Sequence, residues 1–376
     1  MKEIFETIFL LAFIQGVLLS LILFFRKENH SANIFLSIGI FALSFELFAS
    51  VYYSKGWYYD FPWFMGITYP IAYLYGPVFY IYTKLLTKKI EKVHPVNLLH
   101  LIPYLTGYII TIPIFILPTA EKIAVVEKMF INQQPLIYSI YERLISVQGI
   151  IYTVLTVLLV IDYNKKIKER FSNIDKINLN WLKYFTIGMI VCWSLASASE
   201  VVDVFVNNDL NMQIALHVAI SILIYSIGYM GLKQPEIFMK PVDIQTPEKQ
   251  TQKYKKSGLD DAMAEEIKTK LIALIENEKP YCDSDLTLNK LAEMLDTSSH
   301  NLSEVINTYL GKSYYDFINE YRVEEFKNKL KDPSTRNYNL LSIAFESGFK
   351  SKTSFNTIFK KHTNQTPSEY KATLNQ

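Results

Sequence analysis

The stretch LLSIAFESGFKSKTSFNTIFKKHTNQTPSEY, residues 340–370, decides how this chain is read. Asn339 precedes a short apolar run and is a predicted N-cap, because its side-chain oxygen can take a free N–H of the first turn. Ala344 is the small residue needed where two helices cross closely at a helix-turn-helix corner. Gly348 supplies a positive φ at the turn without steric cost. Phe355 and Phe359 then recur at helical spacing. TPSE at 366–369 predicts a final helix, with Thr366 as cap, Pro367 at the first helical position and Glu369 closing a capping box. A second stretch, LTLNKLAEMLDTSSHNLSEVINTYLGKS, repeats the plan. Thr287 is its cap, Ala292 its small residue and Leu302 its anchor. Its turn, DTS, lacks glycine, so Asp296 or a serine must close it.

Working outward, the texture reverses. Half of the 376 residues are hydrophobic. Seven runs approach the roughly 20 apolar residues that cross a bilayer: 4–25, 32–53, 64–86, 98–117, 138–161, 181–204 and 212–232. The first is too long for a signal-peptide core and lacks a basic leader and a small-residue cleavage site. One set of loops carries Arg26, Lys27, Lys88, Lys89, Lys92, Lys165, Lys166, Lys168, Arg170 and Lys176; the alternate set has only Lys55, Lys122 and Lys128. The basic set is expected on the cytoplasmic side. Seven spans then put the amino terminus outside and the tail in the cytoplasm. KQPEIFMKPVDIQTPEKQTQKYKKSG, with three prolines and no helical stripe, predicts a linker. The expected order is a membrane domain at 1–232, a linker at 233–257 and a polar domain at 258–376.

Charge adds detail. Residues 258–376 hold 15 Lys and Arg against 18 Asp and Glu, yet the last 41 hold 6 against 2, a basic island in an acidic domain. The two cysteines, Cys192 and Cys282, imply no disulfide framework. No zinc spacing, phosphate loop or nucleophile elbow is present, so neither an enzyme nor a cofactor is expected.

LTLNKLAEML, NLSEVIN, GKSYYDFINEYRVEEFK and IAFESGFKSKTSFNTIFKKHTNQTPSEY together resemble the DNA-binding domain of AraC/XylS-type transcription regulators, over about 115 residues. The resemblance implies an all-α domain with two helix-turn-helix units joined by a long helix, here about 313–330. It also implies double-stranded DNA as partner, read in successive major grooves. The chain departs from the family at Asn364, where glycine is usual and asparagine tolerates the left-handed backbone. It departs again at Phe326, where alanine is frequent and a repacked core is expected.

Candidate DNA-contacting residues are Ser299, His300, Asn301, Ser303 and Asn307 in the first reading helix. In and beside the second they are Lys350, Lys352, Thr353, Asn356, Thr357, Lys360 and Lys361. Lysine and threonine suit phosphates, and asparagine can pair with adenine through two hydrogen bonds. The plain alternative for Lys360 and Lys361 is a solvated face. Glu304 can accept from a cytosine amino group or repel phosphate. Arg322 is expected in an ion pair with an acidic neighbour rather than on a phosphate.

Ionisable residues within spans are costly and point to function. Here Glu46, Glu142, Arg143, Glu200, Asp203 and His217 suggest a polar pocket for a small ligand, against the alternative that they snorkel to water near span ends. The aromatics at 56–64 read as an interfacial belt. Pro70, Pro77, Pro103 and Pro113 are expected to kink their helices. The whole reads as a membrane-tethered regulator in a bacterial inner membrane, lying in the bilayer and working as a homodimer. The competing reading is a receptor or transporter whose tail binds protein.

Overall fold

The computed structural model describes residues 2–88, 95–130, 135–175, 177–206, 210–233, 259–335 and 337–374. The expected linker lies outside these, apart from its first residue. Among the described residues every regular element is a helix, and the one β contact is an isolated bridge. The chain forms two units: Met1–Ile161 with Leu179–Asp243, and Asp162–Asn178 with Ile244–Gln376.

The first unit contains α1 (Lys2–Phe25), α2 (His30–Ser54), α3 (Ala72–Lys88), α4 (Ile102–Phe115), α5 (Thr119–Phe130), most of α6 (Leu136–Lys168), α7 (Asn180–Val206) and α8 (Leu210–Lys233). Helix α2 packs on α1, α3 and α8. Small residues allow close approach: a Cβ on Gly16 would lie 1.9 Å from Ser44 Oγ. Ser20, Ser37, Ser44 and Thr83 are buried, while Leu11, Ile22, Ile109 and Leu158 are exposed. The core is still mainly apolar, with Leu36, Ile40, Leu43 and Leu47 buried, but so much exposed apolar surface sets this unit apart from a water-soluble bundle.

Among the described residues, six helices are long and apolar enough to cross a membrane. The expected third span, 64–86, is different. Its helix starts only at Ala72 and runs 17 residues, about 26 Å. Gly66 takes φ +81°, and turns continue through Pro70, so the backbone there cannot be helical. Pro70 therefore precedes a helix instead of kinking one. Pro103 falls in the first turn of α4, and of the four Pro77 and Pro113 occupy helix interiors. Helix α3 is also deeply covered, with Tyr73, Tyr75, Val78, Phe79, Ile81, Tyr82 and Leu85 all buried.

The second unit contains α9 (Asp261–Glu278), α10 (Leu288–Met294), α11 (Ser299–Glu304), α12 (Tyr314–Lys331), α13 (Leu340–Glu346), α14 (Lys352–Thr363) and α15 (Pro367–Leu374). Its caps follow the sequence. Thr287 accepts from Lys290 N, Asn339 from Ser342 N, and Thr366 and Glu369 bond each other's backbone N–H. Asp296, at φ 50°, is the residue that closes the glycine-free turn. Asn364 ends α14 in the left-handed conformation at φ 59°.

Two cores lie on either side of α12. Leu271, Ile275, Leu291, Ala292, Leu302, Ile306, Phe317 and Ile318 form the first. Val323, Phe326, Ile343, Ala344, Phe349, Phe355, Ile358 and Phe359 form the second. Phe326 fills the second core, with its ring centroid 4.6 Å from that of Phe355 and 5.3 Å from that of Phe359.

Candidate nucleic-acid interface

Helix α14 is amphipathic in the way a reading helix must be. Ser354, Phe355, Ile358 and Phe359 are buried on one side. Lys352, Thr353, Asn356, Thr357, Lys360 and Lys361 are exposed on the other. Ser351 caps it, its Oγ accepting from Ser354 N at 3.1 Å. An open groove of about 630 Å³ runs along this face. Its lining joins Asn356, Thr357, Lys360 and Lys361 to Thr366, Pro367 and Ser368 at the start of α15. The last three were not candidates from sequence. The capping box was the signal that could have found them, since a helix start presents unpaired N–H groups to anions.

Two of the candidate lysines have acidic partners. Lys350 pairs with Asp285, whose carboxyl is held below its ordinary pKa chiefly by that hydrogen bond. Lys361 lies 2.6 Å from Asp316 on α12. Burial works to raise the Asp316 pKa, but hydrogen bonds from Lys361 and Ser313 outweigh it and keep the group acidic. Both pairs tie the second helix-turn-helix unit to the rest of the domain.

The first reading helix is weaker in charge. It comprises α11 and a π-helical turn over Val305–Tyr309, with Leu302 buried beneath. His300 and Asn307 are exposed; Ser299, Asn301 and Ser303 are half-buried. His300 Nε2 lies 3.9 Å from Glu304 Oε2, and Asn307 Nδ2 donates to Ser303 Oγ at 3.2 Å.

Arg322 departs from its expected ion pair. It is buried on α12, and its five hydrogen bonds end on carbonyl, hydroxyl and amide oxygens. Nε donates to Tyr281 O at 2.7 Å. Nη2 donates to Asp283 O at 2.8 Å and Ser172 Oγ at 3.0 Å. Nη1 donates to Ser172 O at 3.2 Å and Asn319 Oδ1 at 3.3 Å. Burial pulls its pKa down to about 10, so it stays charged at neutral pH.

In the first unit Glu46 accepts from Tyr75 Oη at 3.1 Å. His217 Nδ1 lies 2.7 Å from Gln213 O and 3.5 Å from Ser50 Oγ. Glu46 and Ser50 are four apart on α2 and so share a face, which brings His217 beside the turn after Glu46. Glu142 is half-buried and Arg143 exposed; the side chains of Glu200 and Asp203 lie outside the described ones. Glu6 is buried, with Lys55 Nζ 2.8 Å from its Oε2 and Ser54 Oγ donating to its Oε1 at 2.5 Å. The aromatics read as a belt do more than point outward. Trp57, Phe61 and Phe64 join Phe48 and Tyr52 around an apolar cavity of about 290 Å³.

Residues 291–373 match the helix-turn-helix domain family, and this segment is a helix-turn-helix domain of the AraC type. Among curated relatives, an uncharacterised HTH-type transcriptional regulator of Staphylococcus aureus strain COL is 34% identical over 87 residues, covering 23% of this chain and 11% of that protein. Its counterpart in strain MRSA252 matches to the same extent. A protein of Proteus vulgaris named "Probable transcription factor PqrA" is 24% identical over 109 residues, covering 29% of this chain and 86% of that protein. The chain spans about a tenth of the length of the staphylococcal relatives it matches. No solved structure matches.

Proposed function

We propose that this chain is a membrane-tethered, sequence-specific DNA-binding regulator, with α14 as its principal reader. The observation that carries the reading is the exposed face Lys352–Thr353–Asn356–Thr357–Lys360 over a buried Phe355–Phe359 side. Helix, charge and hydrogen-bonding groups are presented together, as major-groove readout requires. The membrane part rests on six span-length helices and on α3, whose burial suits a seventh at the centre of a bundle. The loop lysines put the amino terminus outside and the tail in the cytoplasm.

One experiment tests both parts, using the full chain in sealed cell-derived vesicles. A fragment starting at residue 250 would lack Ser172 and uncover two Arg322 donors. Inside-out vesicles are expected to select, from a random duplex pool, a motif with two half-sites roughly 34 Å apart. Right-side-out vesicles are expected to select nothing. Lys352→Ala should weaken all sequences evenly and reduce the salt slope by roughly one. Asn356→Ala should cost about 1–3 kcal/mol of discrimination at one base position. Selection by right-side-out vesicles would reverse the orientation, and no enrichment at low salt in either would sink DNA binding. Such a failure would favour the tail as a protein-binding module, which the lysine-free first reading helix and the paired Lys350 and Lys361 already suit.

The bundle is the sensor in this reading, and a small ligand reaching Glu46 shifts its conformational population. Glu46→Gln should change the output of a reporter driven by the selected operator at least about fivefold, the small end of allosteric coupling. Unchanged output across growth conditions that move the wild type would remove the pocket from the proposal.

A further inference from the structure

Residues 162–178, the end of α6 and most of the connection to α7, belong to the second unit. Residues 170–175 are docked there across three elements. Leu288 N donates to Arg170 O at 3.0 Å, and Phe171 forms an antiparallel bridge with Thr287, the cap of α10. Ser172 is buried, its Oγ donating to Leu286 O at 2.6 Å. Its carbonyl takes Asn319 Nδ2 at 3.0 Å and Arg322 Nη1, both from α12. Asp175 Oδ2 then accepts from Ser351 Oγ at 2.5 Å.

That last contact has a chemical meaning. Ser351 caps the second reading helix, and a hydroxyl at such a start is a natural donor to a DNA phosphate. A carboxylate held there occupies the same donor and repels the phosphate that would replace it. The docking is also reversible in principle. If the strap leaves, Arg322 keeps Tyr281 O, Asp283 O and Asn319 Oδ1 and loses only its two Ser172 partners. In sequence the strap lies between α6 and α7, so the covalent route from either helix to it bypasses residues 234–258.

We propose that the junction of the two helix-turn-helix units is a docking surface for the chain's own 170–175 strap, and that Asp175 there stands in for a DNA phosphate and masks the second reader. This rests on the DNA-binding reading. DNA and strap then compete for Ser351, and a signal that withdraws the strap frees the helix.

The bridge geometry supplies the test. The bond from Leu288 N to Arg170 O makes Phe171 and Thr287 a non-hydrogen-bonded pair, whose Cα atoms lie roughly 4.5 Å apart, within the reach of a disulfide. Phe171→Cys with Thr287→Cys is introduced in a full-length chain whose Cys192 and Cys282 are alanine, held in nanodiscs. Mild oxidation should close the disulfide without DNA. The oxidised protein should bind a mixed-sequence duplex at low salt, and the selected duplex, at least roughly tenfold more weakly than the same protein reduced. In the otherwise native chain, Asp175→Asn should bind several-fold more tightly; it serves if the cysteine pair does not fold. Failure of the disulfide to close would overturn the docking. Equal binding before and after reduction, or an Asp175→Asn chain no tighter than the parent, would overturn the masking. Absence of binding in every form would overturn the DNA-binding reading, and this inference with it.

Discussion

Gly348→Ala is expected to open the second helix-turn-helix unit while leaving the first folded. Gly348 sits at φ 92°, where an L side chain is strained, and a Cβ there would lie 2.1 Å from Tyr281 O and 2.8 Å from Arg322 Nε. Neither neighbour is a free surface tip. Tyr281 O is backbone, and it accepts the shortest Arg322 hydrogen bond. The left-handed conformation costs about 1–2 kcal/mol, and loss of a hydrogen bond from a charged group about 1.5–3 kcal/mol. The total, about 2.5–5 kcal/mol, lowers exchange protection in α13 and α14 by roughly two to three and a half orders of magnitude, at 1.4 kcal/mol per factor of ten. Amide hydrogen exchange on the full chain is the suitable measurement, because a membrane protein of two units need not unfold in one step. Protection at Ile358 and Phe359 should collapse, while Leu271 and Ile275 in the first core hold. A loss below tenfold at Ile358 would mean that the turn can move aside and that the close approach to Tyr281 is dispensable.

Arg322→Met is expected to cost a similar amount by a different route. Methionine fills much of the volume but takes the guanidinium from Tyr281 O, Asp283 O and Ser172 O, of which the last two keep Leu286 N and Asn319 Nδ2. Stranding Tyr281 O costs about 1–3 kcal/mol, and the lost hydrogen bonds from a charged group add to it. Lysine should rescue little, since one ammonium cannot reproduce a planar fork reaching four residues. The readout that separates this role from simple packing is the strap. In Arg322→Met, exchange at Ser172 and Leu288 should rise before exchange at Phe317 and Ile318 in the first core. If Arg322→Lys restores protection at Ser172 to the parent level, the fork geometry is not what holds the strap.

Much of this molecule is written in local chemistry. Thr287, Asn339 and Thr366 cap helices because each precedes unpaired N–H groups with a side-chain oxygen of the right length. Leu302 and Phe355 anchor the reading helices because helical spacing aims them inward. Asn364 closes its turn in the left-handed region that glycine would take, because its short polar side chain tolerates that backbone. The apolar runs, the two-part order of the chain and the helix-turn-helix repeat follow from the same short-range rules.

The tertiary structure decided what depends on partners distant in sequence. Helix α3 begins eight residues after the expected start of its span because Gly66 and the turns through Pro70 stop a helix that hydropathy alone would allow. Lys350 and Lys361 look like free phosphate ligands in sequence, yet Asp285 and Asp316 hold them. Arg322 looks like half of an ion pair, and the fold gives it carbonyls instead. Ser172 and Asp175 carry no motif at all. Their partners stand 150 residues further on for Arg322 and 176 for Ser351. Spacing along a chain encodes which residues share a helix face, because backbone geometry fixes it. Which loop fills which cleft is set by the shape and the unsatisfied donors of a surface that exists only once the helices have packed.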